Sequence, residues 1–155
     1  YLRWQIVFGT PAIGARGSSA NHYEKHICWA FDPAATEAIT TNFFLPIDWN
    51  GGPITCRIYW SGDSAGAPAT NEVFWQLIQG GIAAGDQIDV AFENAPGVVG
   101  TVATVEALVV SAFAAFTPDA SLNRLMIQRL GADASDDYTA DAWFHGLLIE
   151  YPADS

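Results

Sequence analysis

The stretch DWNGGPITCRIYWSG, residues 48–62, decides the fold prediction. After a Gly-Gly-Pro turn, apolar side chains alternate with polar ones, and a period of two predicts a β-strand with one apolar face. We expect that face to fill the space between two sheets. It carries four residues: Ile54, Cys56, Ile58 and Trp60. The opposite face presents Arg57 and Tyr59, which we expect at a subunit contact because Arg and Tyr are enriched there. An outer-face ion pair of Arg57, with the Tyr59 ring alongside, is the alternative.

Short apolar runs of the same kind recur along the chain between Gly, Pro, Asn, Asp and Ser, a pattern typical of all-β domains. The Ala-rich run within 98–116 also suits a helix, but its β-branched valines favour one or two strands. We therefore predict an all-β fold of about eight strands. The predicted strands are 26–31, 38–45, 54–60, 72–79, 88–93, 98–116, 123–130 and 142–151.

Length and charge limit the organisation and the partners. A chain of 155 residues is most simply one domain, and we place it at 26–155, after an extended N-terminal arm at 1–25. The net charge of −11 argues against a nucleic-acid partner, which needs clustered Lys and Arg. The arm is mildly basic through Arg3, Arg16 and Lys25. We expect it to contact an acidic neighbour, and a loose terminus is the alternative.

The two cysteines, Cys28 and Cys56, make no disulfide framework and have no metal ligands at suitable spacing, so we predict two buried thiols. No run of about 18 apolar residues suits a membrane span, and the first residues lack the features of a signal peptide. We therefore expect no membrane partner.

The sequence carries no motif for catalysis. His22, His26 and His145 have no nucleophile motif beside them, so we predict a protein that is not an enzyme and has no cofactor. We expect His145 to be a packed strand residue with a hydrogen-bonded ring.

The predicted loops supply candidates for ligand contact. They are Trp49, Asp63, Asp136 and Tyr138. Exposed aromatic side chains in loops could stack on sugars, although the Trp49 ring could equally fold back onto the core. Asp133, Asp136 and Asp137 could offer oxygen atoms to Ca²⁺, but they lack the order of an EF-hand loop. We predict no metal site.

An ordered series of motifs resembles a β-rich module of tailed-bacteriophage virion proteins. The resemblance covers roughly 31–151, and its third turn reads AGD where the family has DGD. The matching features are Phe31–Asp32, Thr36–Glu37, Leu45–Pro46, Gly51–Gly52, Ile58–Trp60, Val73, Trp75, Ala84–Asp86 and Asp141–Tyr151.

The resemblance implies a jelly-roll-like antiparallel β-sandwich, usually a homotrimer, on the virion exterior after assembly in the host's bacterial cytoplasm. The resemblance fits head decoration as well as outer fibre domains, and it has no counterpart for residues 1–25. Our first hypothesis is a capsid decoration or cement protein whose partner is the major capsid protein or another virion protein and whose N-terminal arm grips the shell. The alternative is the outer domain of a tail or head fibre that binds host surface glycan through loops 49–53, 61–71 and 131–137. A carbohydrate-active enzyme is a third hypothesis.

Overall fold

The computed structural model describes residues 5–16, 26–63, 71–83, 95–104, 107–118 and 122–154. These residues form an all-β structure, which confirms the predicted fold class. Ten strands lie in the described ranges: β1 (Gln5–Phe8), β2 (Ala12–Arg16), β3 (His26–Phe31), β4 (Thr36–Phe44), β5 (Thr55–Gly62), β6 (Glu72–Ile82), β7 (Gly97–Thr101), β8 (Val109–Ala112), β9 (Leu122–Leu130) and β10 (Ala142–Glu150).

The strands form two five-stranded sheets with antiparallel pairing. The first sheet has the order β1-β4-β9-β6-β7, and the second has the order β2-β3-β10-β5-β8. Several connections cross from one sheet to the other, so strands far apart in sequence become neighbours. This arrangement is a jelly-roll-like β-sandwich, as predicted.

The core lies between the sheets, and β5 shows why the chain folds this way. Ile58 and Trp60 are fully buried, together with Ile54 and Cys56, which confirms the predicted inner face. The Trp60 ring packs on Trp75 of β6, with 5.9 Å between the ring centroids. Large aromatic side chains from both sheets therefore fill the interior, where they contribute most to burial.

The N-terminal segment does not lie apart from the sandwich. β1 pairs with β4 at the edge of the first sheet, and β2 pairs with β3 at the edge of the second. The sequence predicts an extended arm or long loop over 1–25 before the first core strand, whereas residues 5–16 form a strand of each sheet. Two strands separate β1 from its partner β4, so no local pattern reveals that pairing, whereas β2 pairs with the next strand in the chain. A domain boundary after residue 25 stays a prediction.

Glu37 hydrogen-bonds to the segment that connects β1 with β2. Its carboxylate is 2% exposed and accepts hydrogen bonds from the Thr10 amide at 2.8 Å and the Asp32 amide at 2.7 Å. Gly9 has a φ of +72°, and a Cβ there would lie 2.7 Å from the Cγ of Glu37. Glycine is the residue that combines this backbone conformation with so close an approach.

The remaining strand predictions have mixed outcomes. The run within 98–116 forms two strands, β7 and β8, as the sequence allows. The predicted strand 88–93 lies outside the described residues. Cys28 and Cys56 are buried thiols, which confirms that prediction. In the part of the chain that the structure describes, no helix has the length and apolar character needed to cross a membrane.

Candidate functional site

The outer face of the second sheet carries an open groove of about 480 Å³. We call it the Tyr59 groove. Its lining residues come from β5, β10 and the segment before β8: Tyr59, Leu108, His145, Gly146, Leu147 and Leu148. Leu108 is 59% exposed and Leu148 is 41% exposed. Apolar side chains that remain this accessible mark a surface suited to contact with another molecule.

A β-bulge in β10 creates the groove. Phe144 pairs with Trp60, but the next paired residue is Gly146, which stands opposite Tyr59, so His145 is the extra residue. Bulges of this kind change the direction of a side chain. Because Gly146 has no side chain, and a Cβ there would meet no heavy atom within 4 Å, the space beside the Tyr59 ring stays open.

Polar groups border the groove on two sides. The Nε2 atom of His145 lies 2.9 Å from the Oγ of Ser61, so the ring is hydrogen-bonded, as the sequence predicts. Arg57 donates to the Glu150 carboxylate at 2.6 Å, with both side chains about half exposed. The pKa of Arg57 is raised, chiefly by this hydrogen bond. The groove therefore combines an apolar floor with hydrogen-bonding groups at its rim.

Trp143 extends this face toward the start of β10. Its indole nitrogen donates to the Asp63 carboxylate at 3.3 Å, and its ring lies against Gly14 of β2. Trp143 pairs with Ser61, two residues from Tyr59 along β5, which corresponds to roughly 7 Å. Residues two apart share a face of a strand, so Trp143 and Tyr59 lie on the same outer face, with the Trp143 ring directed toward β2.

The Trp143 end of this face is acidic. The pKa of Asp141 is raised, first by burial and then by the nearby carboxylates of Asp32 and Asp63. In the described ranges, no three or more His, Cys, Asp or Glu side chains are arranged to hold a metal ion. The carboxylates of Asp63 and Asp141 therefore supply negative potential near the Trp143 ring.

The predicted interface residues have different positions. Arg57 and Tyr59 lie together on the outer face of β5, and Arg57 forms the ion pair given above as the alternative. Whether either residue meets a second subunit stays a prediction. Arg3 and the side chain of Arg16 lie outside the described residues; the Arg16 backbone pairs with His26.

Two of the four predicted ligand-contact residues are buried, which corrects the prediction for them. Tyr138 is 1% exposed, and its hydroxyl donates to the carbonyl of Asp63. Asp136 forms an ion pair with Arg129 at 2.8 Å, with both side chains buried. Loop position alone suggested exposure, but Arg129, on the core face of β9, holds this segment inside the sandwich. In the neighbouring Asp137, the carboxylate accepts a hydrogen bond from the Glu72 amide.

The other two ligand-contact candidates lie at opposite ends of β5. Trp49 precedes the strand, and its indole nitrogen donates to the Gly52 carbonyl at 2.9 Å. The half-buried Trp49 side chain is thus hydrogen-bonded within its own turn. Asp63 follows the strand and contacts Trp143. Of the predicted loop residues, Asp63 is therefore the one that joins the aromatic outer face.

Sequence reasoning missed the groove because it depends on a bulge. The run WFHGLL shows alternation, but it does not show where pairing shifts by one residue. A glycine inside a strand pattern is the signal that could have indicated it, since such glycines often mark bulges.

No protein-family model matches the chain, and no curated protein sequence matches it. Solved structures with low sequence identity do match. The module TmCBM61, in complex with beta-1,4-galactotriose, aligns with a TM-score of 0.50 and 9% identity over 96% of this chain and 88% of that chain. The enzymatically active domain of tailspike protein 4 from bacteriophage CBA120 aligns with a TM-score of 0.52 and 12% identity over 96% of this chain and 19% of that chain.

A third similar structure is the carbohydrate-binding module CBM36 in complex with calcium and xylotriose. Its TM-score is 0.47 and its identity is 14%, over 90% of this chain and 93% of that chain. At these identities the likeness of the first two structures concerns the fold alone. The chain is a β-rich, jelly-roll-like module, in agreement with the coarser part of the resemblance noted in its sequence.

Proposed function

We propose that this protein is a non-catalytic glycan-binding module of a phage virion exterior and that the Tyr59 groove contacts the glycan. The observation that carries the proposal is the open space beside the Tyr59 ring, which the bulge at His145 and the missing side chain of Gly146 create. The proposed site lies on the outer face of the second sheet and not in the loops that the sequence predicts to contact a ligand.

The chemistry of the groove suits a sugar ring. A pyranose has an apolar face of C–H groups that packs on an aromatic ring, and its hydroxyl groups need hydrogen-bonding partners at the edge. Tyr59 and Trp143 supply aromatic surface, while the ring of His145 and the carboxylate of Asp63 supply polar groups. Sites of this kind combine apolar walls with a few placed polar groups.

The fold is compatible with this use. TmCBM61 was solved with beta-1,4-galactotriose bound, and the tailspike domain belongs to a bacteriophage protein. Both share the fold with this chain at low sequence identity. The two structures support the proposals that this protein binds carbohydrate and that it belongs to a virion.

The charge distribution favours a neutral glycan. The chain has a net charge of −11, and Asp32, Asp63 and Asp141 lie near one another beside Trp143. An acidic polysaccharide approaching this face would be repelled, most strongly at low salt. We therefore expect binding to neutral host-surface glycans and weak or no binding to those rich in uronic acids.

Affinity electrophoresis in gels containing neutral polysaccharide tests the proposal. Wild type should be retarded, and Tyr59→Ala should migrate as if no polysaccharide were present. Phe44→Ala is the matched control, because Phe44 is an aromatic residue that is 75% exposed on the other sheet. Gels with the same polysaccharide oxidised to uronic acids test the charge argument. Retardation that is equal in Tyr59→Ala and wild type would refute the groove assignment.

A capsid decoration role is the second candidate, and the exposed apolar end of the sandwich favours it. Phe44 is 75% exposed, Ile47 is fully exposed and Tyr151 is 38% exposed, and a small apolar pocket lies among the neighbouring residues. Such an end suits packing on the major capsid protein or another virion protein, within a homotrimer or another assembly. Co-sedimentation with purified capsids, reduced in Ile47→Ser, would support this role. Equal co-sedimentation of that variant and wild type would argue against this end as the attachment site.

A further inference from the structure

The sandwich opens at one end into a small apolar pocket of about 210 Å³, which we call the Ile54 pocket. The first sheet supplies the end of β4, and the second sheet supplies the end of β10 and the residue before β5. The lining residues are Phe43, Phe44, Pro46, Ile54, Ile149 and Tyr151. Sites for drug-sized molecules commonly have volumes of about 300–1,000 Å³. The Ile54 pocket is smaller, so it suits one apolar side chain better than a whole small molecule.

Apolar surface continues from the pocket onto its rim. Phe44 and Ile47 are the two most exposed large apolar side chains in the described ranges, and Tyr151 is exposed as well. A side chain that filled only the pocket would leave Phe44 and Ile47 in water. A peptide segment that carries this side chain would cover them too, and burial of their apolar surface would favour binding.

Hydrogen bonds connect the two segments that border the pocket. The Tyr151 hydroxyl donates to the Asp48 carboxylate at 3.2 Å. The Asp154 amide donates to the Asp48 carbonyl at 2.8 Å, and the Asn50 amide donates to the Pro152 carbonyl at 3.1 Å. The segment after β10 is therefore tied to the turn before β5, so the rim loses little further freedom when a ligand binds.

The rim of the pocket carries more carboxylates than cations. Glu150, which lies between two lining residues in the sequence, pairs with Arg57. Asp48 and Asp154 are exposed, and neither forms an ion pair within the described ranges. Arg124 of β9 lies on the outer face of the first sheet. The rim therefore attracts a positively charged group, and the net charge of −11 on the whole chain acts in the same direction.

We propose that the Ile54 pocket binds a segment of another protein in which an apolar side chain lies next to Lys or Arg residues. The apolar side chain fills the pocket, and the adjoining basic side chains meet the carboxylates of Asp48 and Asp154. Such a segment combines burial of an apolar anchor with charge complementarity at the rim. A second copy of this chain is a poor occupant, because two molecules that each carry a charge of −11 repel one another.

The Ile54 pocket and the Tyr59 groove share no lining residue. A segment bound in the pocket would therefore leave the outer face of the second sheet free for glycan. The pocket assignment does not depend on glycan binding, whereas the identification of the partner as a neighbouring virion protein rests on the proposed function.

NMR titration with three synthetic peptides that differ only at their centre tests the assignment. The central sequences are Lys-Phe-Lys, Lys-Ser-Lys and Glu-Phe-Glu, each placed between neutral Gly and Ser residues. The Lys-Phe-Lys peptide should shift the methyl resonances of Ile54 and Ile149, which line the pocket. Its dissociation constant should be about tenfold or more below those of the other two peptides, because each of them lacks either the apolar anchor or the positive charge. Its affinity should fall as salt is added.

Three variants locate the binding site. Phe44→Ala should weaken binding of the Lys-Phe-Lys peptide roughly three- to tenfold through loss of aromatic contact. Asp48→Asn should weaken it about two- to fivefold, the range of an exposed charge pair. Asp133→Asn is the matched control, because Asp133 is also an exposed aspartate in a turn but follows the end of β9, whereas the start of β9 pairs with Phe44. Urea unfolding of each variant shows whether it is folded as wild type is.

The proposal is overturned if the Lys-Phe-Lys peptide at millimolar concentration shifts neither methyl resonance, or if either of the other peptides binds as tightly. It is equally overturned if Phe44→Ala and Asp48→Asn, both folded, bind the Lys-Phe-Lys peptide as wild type does. Titration of wild type with a neutral oligosaccharide keeps the two proposals apart. Peptide binding without glycan binding would contradict the proposed function alone, and glycan binding without peptide binding would contradict the pocket assignment alone.

Discussion

Replacement of Arg129 by methionine should lower the free energy of unfolding by about 3–5 kcal/mol, because it leaves a buried carboxylate without its cation. The Arg129 side chain is fully buried and donates twice to Asp136, at 2.8 and 2.9 Å. It also donates to three backbone carbonyls, those of Phe31, Tyr138 and Ala140. Methionine fills similar space with a flexible chain but supplies none of these bonds. Asp136 then retains the amide of Phe74 as a donor.

Urea unfolding with linear extrapolation measures this loss. Asp136→Asn should cost less, because Arg129 would still donate to the three carbonyls. The double variant should cost less than the sum of the single ones, since each single change already breaks the pair. Arg57→Met is the matched control: Arg57 also pairs with a carboxylate, Glu150, but about half of each side chain is exposed, so the midpoint should barely change. Equal midpoints for Arg129→Met and Arg57→Met would refute the assigned role of the buried pair.

Three further predictions concern other parts of the sandwich. The raised pKa of Asp141 means that its ionisation opposes folding, so Asp141→Asn should raise the thermal midpoint at pH 7 but leave it nearly unchanged below the ordinary aspartate pKa of 3.8; a lower midpoint at pH 7 would contradict this. Burial raises the pKa of Cys56 to about 12, and the Cys28 side chain is inaccessible because it is also buried. Neither thiol should therefore react with a thiol reagent at pH 8 until the protein unfolds, and rapid native labelling would contradict their burial. Gly146→Leu should keep stability but abolish glycan binding, because it enters open space, whereas Gly100→Ala should cost about 1–3 kcal/mol in urea unfolding through overpacking; the opposite ranking of stabilities would contradict the described packing.

The sequence predicted the features that depend on alternation of residues within a single strand. The inner face of β5 is buried as expected, and the β-branched valines of 98–116 indicated strands where alanine content also suited a helix. In both cases the signal lies in residues two apart along one strand. Such a signal needs no knowledge of the partner strand.

Features that depend on distant partners could not be predicted in this way. β1 is an edge strand whose partner β4 lies beyond β2 and β3 in the chain. The burial of Asp136 and Tyr138 depends on Arg129, whose position among the apolar core residues of β9 was the available hint, because a charge there requires a buried partner. The groove depends on a pairing shift of one residue at His145.

NMR titration with a neutral oligosaccharide tests most directly whether the outer face of the second sheet binds glycan. We expect chemical-shift changes to cluster at residues 57–61 and 143–148, with the Trp143 indole resonance among the largest. Tyr59→Ala should remove these changes while leaving the remaining spectrum intact. Changes confined to the turn at 49–53, or no changes with any neutral oligosaccharide, would contradict the claim.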